Sequence, residues 1–167
     1  MMNKKRVTAI ITTGIMAVSA LMPMGVFAAD QSADTPVMYS AYSNIPDPEN
    51  PTNPKWGVQI PTTIQFTNKA IVQSADVEMV GMNGGVLDGT MRANVTVTSA
   101  KNYTFGVDNG AYELKYAGTT MTGADAAVGT LNGATAKKIT GTATLTVEAK
   151  KAGNYTDTLT YKVTTTP

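Results

Sequence analysis

The sequence predicts an all-β fold in which short antiparallel strands pack as a sandwich. Stretches of alternating apolar and polar residues recur about every ten residues from Lys55 onward, and turn-forming pairs such as Asn83-Gly84 and Asp88-Gly89 separate them. No stretch between them has the period of an amphipathic helix. About seven or eight such strands are typical of an Ig-like β-sandwich, which is therefore the predicted architecture.

Residues 1–28 have the three parts of a secretory signal peptide. Lys4, Lys5 and Arg6 precede an apolar run, and Val26-Phe27-Ala28 suits cleavage before Ala29. An uncleaved anchor is the alternative, because the apolar run approaches the roughly 20 residues that span a bilayer. Cleavage would give a secreted chain, extracellular or at the cell surface, with no membrane contact.

Residues 29–54 are predicted to be an extended segment that ends in a proline-rich linker. Prolines cannot donate hydrogen bonds to a strand ladder and favour extended, solvated backbone. Upstream of the prolines, Val37, Tyr39 and Ala41 alternate with polar or larger residues. These three residues form a candidate assembly strand that could insert into a neighbouring molecule.

Residues 55–167 are predicted to form the sandwich domain. Alternation predicts strands from Trp56 to Ile60, around Val77 to Val80 and from Met91 to Thr98. Residues 103–107 and 112–116 are expected to form a hairpin around Asp108-Asn109-Gly110. Residues 117–136 are either a long loop or contain one short strand near residues 128–131.

The clearest alternation lies at the end of the chain. Apolar and threonine-rich positions alternate through residues 139–148 and again through residues 155–163, with Lys150 to Asn154 between them. This pattern predicts two long strands joined as a closing hairpin.

The composition excludes most catalytic chemistry. Histidine and cysteine are both absent, which removes the usual general base, thiol nucleophiles and thiolate zinc sites. Asp76 and Glu78 share one face of a predicted strand and could offer an acid and a base, but a solvated outer face is the favoured interpretation. We therefore predict no enzyme activity, no catalytic residues, no metal and no cofactor.

The charge pattern argues against nucleic acid as a partner. The leader carries three of the 13 basic residues and none of the 12 acidic ones, so the remaining chain is weakly acidic. Its lysines are scattered or paired, whereas phosphate binding needs a basic stripe.

Asp157 is the one residue that disobeys its own strand. It falls in phase with Tyr155, Leu159 and Tyr161, so alternation points this acid inward. A position at the solvated end of the strand is the common explanation, since buried carboxylates are rare unless paired. The alternative is an acid that assists an isopeptide crosslink between a lysine and an asparagine, with Lys55 and Asn154 as candidates.

The closing segment carries a family resemblance. Residues 152–160, Ala-Gly-Asn-Tyr-Thr-Asp-Thr-Leu-Thr, resemble the last strand of secreted β-sandwich surface proteins, including WxL-domain proteins of Gram-positive bacteria and spore-coat-U-like fimbrial subunits. The tail from Thr158 to Pro167 is similar to a WxL terminus in which Tyr161 replaces tryptophan and Val163 replaces leucine, and Trp56-Gly57-Val58 is a second near match.

The resemblance implies a non-enzymatic protein that attaches noncovalently to a cell-wall polymer or assembles with other surface proteins. Trp56 and Tyr161 are then candidates for contact with the wall or a partner, although alternation places Trp56 in or near the core. The predicted function is a structural or adhesive role at the cell surface. The alternatives are a pilus or fibre subunit that self-assembles by N-terminal strand exchange, and a carbohydrate-binding module.

Overall fold

The computed structural model describes residues 43–106 and 108–166. Within these ranges the chain contains eleven strands and no helix, which confirms the all-β prediction. The strands are β1 (Ser43–Pro46), β2 (Trp56–Ile60), β3 (Val72–Ser74), β4 (Val77–Gly81), β5 (Arg92–Ser99), β6 (Ala111–Tyr116), β7 (Thr119–Thr120), β8 (Ala126–Asn132), β9 (Lys138–Ile139), β10 (Gly141–Val147) and β11 (Leu159–Thr165).

The described strands form three antiparallel sheets. Their orders are β1-β2-β4-β9, β3-β10-β6-β7 and β11-β5-β8. Apolar residues alternate along β4, β5 and β6, so each of these strands buries one face and exposes the other. The arrangement is consistent with a β-sandwich.

The first two sheets share one continuous ladder. Only Ala75 and Asp76 separate β3 from β4, and Thr140 alone separates β9 from β10. The pairing register is the same on both sides of these breaks, and the Ala75 amide donates to the Gly141 carbonyl across them at 2.9 Å. The two sheets therefore form one bent surface, and the sheet of β11, β5 and β8 is the second surface.

The core lies between these surfaces. Tyr116 on β6 and Tyr161 on β11 join them directly, because their hydroxyl oxygens lie 2.7 Å apart. The side chains that are almost completely buried come from both surfaces: Val58, Val77, Met79, Val95, Val97, Leu114, Tyr116 and Leu131.

The predicted closing hairpin is wrong. Strand β10 pairs with β3 and β6, whereas β11 pairs with β5 in another sheet. Residues 148–158 connect the two strands and are long enough to cross from one surface to the other. Alternation reported correctly that both segments are strands, but alternation alone does not choose a strand's partner.

The middle of the chain also differs from its predicted strands. Strand β6 forms as expected, but residues 103–106 form no strand of their own. They face the start of β6 through the isolated bridge between Thr104 and Ala111. The Phe105 amide also donates to the Gly110 carbonyl and the Tyr112 amide to the Tyr103 carbonyl, both at 3.0 Å. Tyr103 has a φ of 60°, which interrupts an extended strand. Strands β7 and β8 occupy the stretch that was predicted to be a loop or one short strand.

The strand ladder also extends upstream of the predicted domain start. Strand β1 pairs with β2 through Ser43 and Ile60 at one end and Pro46 and Gly57 at the other. It therefore lies within residues 29–54, the stretch that the sequence predicts to be extended segment and linker.

Candidate binding cleft beside the last strand

A hairpin that opens in its middle forms one wall of the candidate site. Strands β2 and β4 are paired up to Gln59 and Glu78, and the same register returns at Thr67 and Ala70, which exchange two backbone hydrogen bonds of 3.2 and 3.1 Å. Between these points, no backbone hydrogen bonds join residues 61–66 to residues 71–76 among the described residues. We call residues 61–66 the strap.

Pro61 explains why the hairpin opens. The Met82 amide donates to the Lys55 carbonyl at 2.9 Å, so the odd-numbered residues of β2 are those that exchange hydrogen bonds with β4. Pro61 is the next residue in this series and would face Asp76. Because proline has no backbone N–H, the ladder loses a donor at this position.

The free edge of β11 forms the opposite wall. Strand β11 is the outermost strand of its sheet, and the Ala100 amide donates to the Thr158 carbonyl at 2.9 Å. In an antiparallel pair, every second residue bonds to the partner strand. Because Thr158 bonds toward β5, the backbone groups of Leu159, Tyr161 and Val163 point away from β5. These groups have no backbone partner within residues 43–106 and 108–166.

The strap and β11 enclose a cleft of about 390 Å³. Its walls are mainly aromatic and aliphatic side chains with threonine hydroxyls at the margins. The lining residues are Pro61, Thr62, Thr63, Ile64, Phe66, Phe105, Tyr112, Tyr155, Thr156, Asp157, Thr158, Leu159 and Tyr161.

An aromatic cluster supports the cleft. The Tyr112 ring lies 5.3 Å from Phe105, 5.7 Å from Phe66 and 5.8 Å from Tyr103, measured between centroids. The Tyr103 and Tyr112 rings meet edge to face, an arrangement that the ring quadrupoles favour. The cluster fixes Phe66, and with it the end of the strap, against β6.

Asp157 lies in the cleft and ties three chain segments together. Its Oδ2 accepts hydrogen bonds from the hydroxyls of Ser99 and Tyr112, both at 2.6 Å. Its Oδ1 accepts from the backbone amides of Lys101 at 3.0 Å and Thr158 at 2.7 Å. The carboxylate therefore joins the end of β5, the start of β6 and the segment that enters β11.

The tyrosines around this network are held in their neutral form. Burial, followed by the hydrogen bond to Asp157, raises the pKa of Tyr112 above its usual range. Burial likewise raises the pKa of Tyr103, Tyr116 and Tyr161. The Tyr103 hydroxyl is buried and has no hydrogen-bond partner among the described residues. Tyr112 and Tyr161 therefore offer neutral hydroxyls and aromatic faces to the cleft.

The predicted site residues occupy different surroundings. Asp157 and Tyr161 both line the cleft. Trp56 is only 5% exposed and packs in the core. Val37, Tyr39 and Ala41 lie outside the described residues. Sequence reasoning missed the strap as a wall of the cleft, although Pro61 between two alternating stretches was a visible signal.

The contacts of Lys55 and Asp76 bear on the two remaining sequence hypotheses, the isopeptide crosslink and the acid pair. Lys55 Nζ approaches the Asn83 carbonyl at 3.5 Å and is not among the hydrogen-bond donors to Asp157. Asp76 pairs with Lys138 at 2.7 Å and accepts from the Gly141 amide at 3.0 Å. Burial opposes its ionisation, but the interactions with Lys138, the Gly141 amide and Ser74 together outweigh burial and lower the pKa of Asp76. Such a carboxylate suits an ion pair better than a general acid.

No cluster of three or more acidic side chains that could hold a metal ion occurs in the described part of the chain. The same part contains no helix that is long and apolar enough to cross a membrane. Comparisons with protein-family models, curated proteins and solved structures found no match to this chain.

Proposed function

We propose that this chain is a secreted, non-enzymatic, Ig-like module with a structural or adhesive role at the cell surface. The observation that carries the proposal is the hydrogen bonding of the Asp157 carboxylate in the cleft. Among the described residues, Asp157 is the only carboxylate that lines the cleft, and four donors already engage its two oxygens. Glycoside hydrolysis commonly needs two carboxylates that flank the scissile bond. A single carboxylate that is already fully hydrogen-bonded therefore favours a structural role for Asp157 over a catalytic one.

The outer face of the β11 sheet is the surface that best suits adhesion. Thr160 lies opposite Thr98, and Thr164 lies opposite Asn94, with the side chains directed to solvent. Exposed Lys162 lies between Thr160 and Thr164 on the same face. Such hydroxyl, amide and ammonium groups can exchange hydrogen bonds with a hydrated polymer at little desolvation cost. We call Thr98, Asn94, Thr160 and Thr164 the threonine face.

Cosedimentation with insoluble cell-wall material tests this proposal. We expect the protein to sediment with the wall and to release no soluble sugar or peptide from it. Replacing Thr160 and Thr164 by alanine should weaken binding severalfold, whereas Thr142→Ala with Thr119→Ala, exposed threonines of the other surface, should leave binding unchanged. Hydrolysis above the buffer rate would overturn the non-enzymatic assignment, and an equal loss in both variants would overturn the assignment of the face.

A fibre subunit is the second candidate, and the free edge of β11 favours it. An exposed strand edge accepts an extended segment of another molecule through backbone hydrogen bonds. Residues 37–41 of a second copy would then occupy the cleft. This candidate requires assemblies whose size grows with protein concentration, which light scattering measures directly.

A further inference from the structure

We infer that residues 37–42 form a strand that fills the cleft of their own chain, between the strap and the free edge of β11. The inference rests on the pairing register of β1 and does not depend on the proposed surface role.

The register of β1 leads directly into the cleft. Ser43 lies opposite Ile60 in the ladder between β1 and β2. Continuing this register upstream places Tyr42 opposite Pro61 and Val37 opposite Phe66. The six residues 37–42 thus match the six residues of the strap one for one, and no turn or insertion is needed between them and β1.

The strap presents unused backbone groups to this segment. The Asp47 amide donates to the Trp56 carbonyl at 3.1 Å, so odd-numbered residues of β1 exchange hydrogen bonds with even-numbered residues of β2. In the continued register, the bonding partners are the backbones of Thr62, Ile64 and Phe66, which bond to no other described backbone group. Pro61 belongs to the other alternate set, so its missing N–H does not obstruct this pairing.

In this register, the alternation of the segment would direct its apolar side chains into the cleft. Residues opposite each other in an antiparallel pair point to the same face, and Ile64 and Phe66 pack against the core. Tyr39 and Val37, their counterparts, would therefore point inward. Ile45, opposite Val58, already shows this phase within β1, because it packs against the core.

The opposite edge of the segment would meet β11. The Thr165 hydroxyl donates to Glu49 at 2.7 Å, which places the end of β11 beside the turn that follows β1. The beginning of β11 lies at the strap, where Tyr155 and Leu159 line the cleft. Strand β11 therefore runs in the direction of β1, and the segment would lie parallel to it. The outward backbone groups of Leu159, Tyr161 and Val163 are then the available partners.

The segment belongs to the same chain and not to a second copy. Ser43 is already held next to Ile60, so its upstream neighbours reach the strap without any further loop closure. A segment from another molecule would have to displace this tethered one, whose effective concentration is far higher.

Engineered disulfides test the register. The chain has no native cysteine, so Ser40→Cys with Thr63→Cys creates one new pair at facing positions whose expected Cα separation permits a disulfide. Ser40→Cys with Gln59→Cys is the matched control, because Gln59 lies four positions away in the register. In the full chain we expect a disulfide within one molecule for the first pair and none for the control.

Two results of this experiment would overturn the inference. A disulfide between molecules at the first pair would assign the cleft to a second copy and favour the fibre candidate. Absence of any disulfide at the first pair, or equal formation in both pairs, would show that the segment does not lie along the strap.

A pair of charge substitutions tests the phase independently. Tyr39→Asp would place a carboxylate in the apolar cleft, and Ser40→Asp would place one toward solvent. We expect Tyr39→Asp to lower the melting temperature by several degrees and Ser40→Asp to leave it nearly unchanged. Equal effects of the two substitutions would contradict the assigned phase.

Discussion

Asp157 stabilises the fold by satisfying donors that would otherwise be lost at the ends of strands. Ser99 is itself buried and accepts a hydrogen bond from the Tyr103 amide at 2.6 Å, so the network reaches the turn after β5. Hydrogen bonds to a charged acceptor are stronger than neutral ones, and unsatisfied buried donors are costly. The carboxylate thus holds a strand end, a neighbouring strand and the entry to β11 in one place.

Two substitutions at Asp157 should separate its charge from its geometry. Asp157→Asn keeps an oxygen for the two backbone amides, and the two hydroxyls can turn to accept from the new amide, so we expect a loss of about 1 kcal/mol in unfolding free energy. Asp157→Ala leaves four donors without this acceptor and should cost about 3 kcal/mol. Urea unfolding measures both values.

Asp125→Asn is the matched control for these substitutions. Asp125 is exposed and has a φ of 49°, a conformation that asparagine also tolerates, so its replacement should change stability little. Equal stability of Asp157→Ala and the unsubstituted protein would contradict the structural role of the network.

At the residue scale, the sequence predicts that the Asp157 side chain points inward, but it does not predict the hydrogen-bond partners of this side chain. The phase of Asp157 with Leu159 and Tyr161 predicted an inward carboxylate, and the structure places it against the cleft. Its partners Ser99 and Tyr112 lie 58 and 45 positions away, in segments with no local link to it. Alternation reports which face a residue occupies, whereas the partner depends on how distant strands stack.

At the element scale, the open hairpin makes β3 an edge strand although its continuation β4 is a central one. The Ala75 amide donates to the Gly141 carbonyl, and the Leu145 amide donates to the Ile71 carbonyl, so odd-numbered residues of β3 bond to β10. The backbone groups of Val72 and Ser74 face the gap that the strap leaves.

Hydrogen exchange should show this alternation within β3. We expect the amides of Val72 and Ser74 to exchange on the order of a hundredfold faster than those of Gln73 and Ala75, because only the latter pair faces a ladder. Exchange followed by residue-resolved NMR measures the rates, and Gln73 is an internal control one residue away. Equal protection from Val72 to Ala75 would mean that the strap closes onto β3 in solution.

Element boundaries were most predictable where one face is buried along the whole strand. The predictions for β4 and β5 agree with the structure to within one or two residues, because buried and less buried residues alternate along each of them. Strand β2 also has its predicted bounds, although its first three residues are all buried. The predicted hairpin of β10 with β11 is wrong, because both strands are equally regular and nothing in their pattern distinguishes a partner in the same sheet from one in another.

At the scale of the whole molecule, buried tyrosines couple the two surfaces. The Tyr116 and Tyr161 hydroxyls bond to each other, and Tyr112 reaches Asp157 from the opposite surface. Burial raises the pKa of Tyr116 and Tyr161 above the value of about 10 that tyrosine has in an unfolded chain. Folding therefore favours the neutral phenols.

The molecule should lose stability in alkali. A group whose pKa is raised by folding contributes stability that is complete below its unfolded pKa and is lost as pH rises toward the folded value. Above about pH 10, each such tyrosine should lower the unfolding free energy by up to about 1.4 kcal/mol per pH unit. Urea unfolding at successive pH values measures this slope.

Two variants determine whether the phenols cause the slope. Tyr116→Phe removes one titrating group and should make the alkaline slope shallower, even though it leaves Tyr161 without its hydroxyl partner. Leu114→Ala removes buried apolar surface from the same strand and should lower stability at every pH without changing the slope. If both variants kept the full slope, the alkaline loss would originate outside the contact between the two surfaces, and these tyrosines would couple the sheets by packing alone.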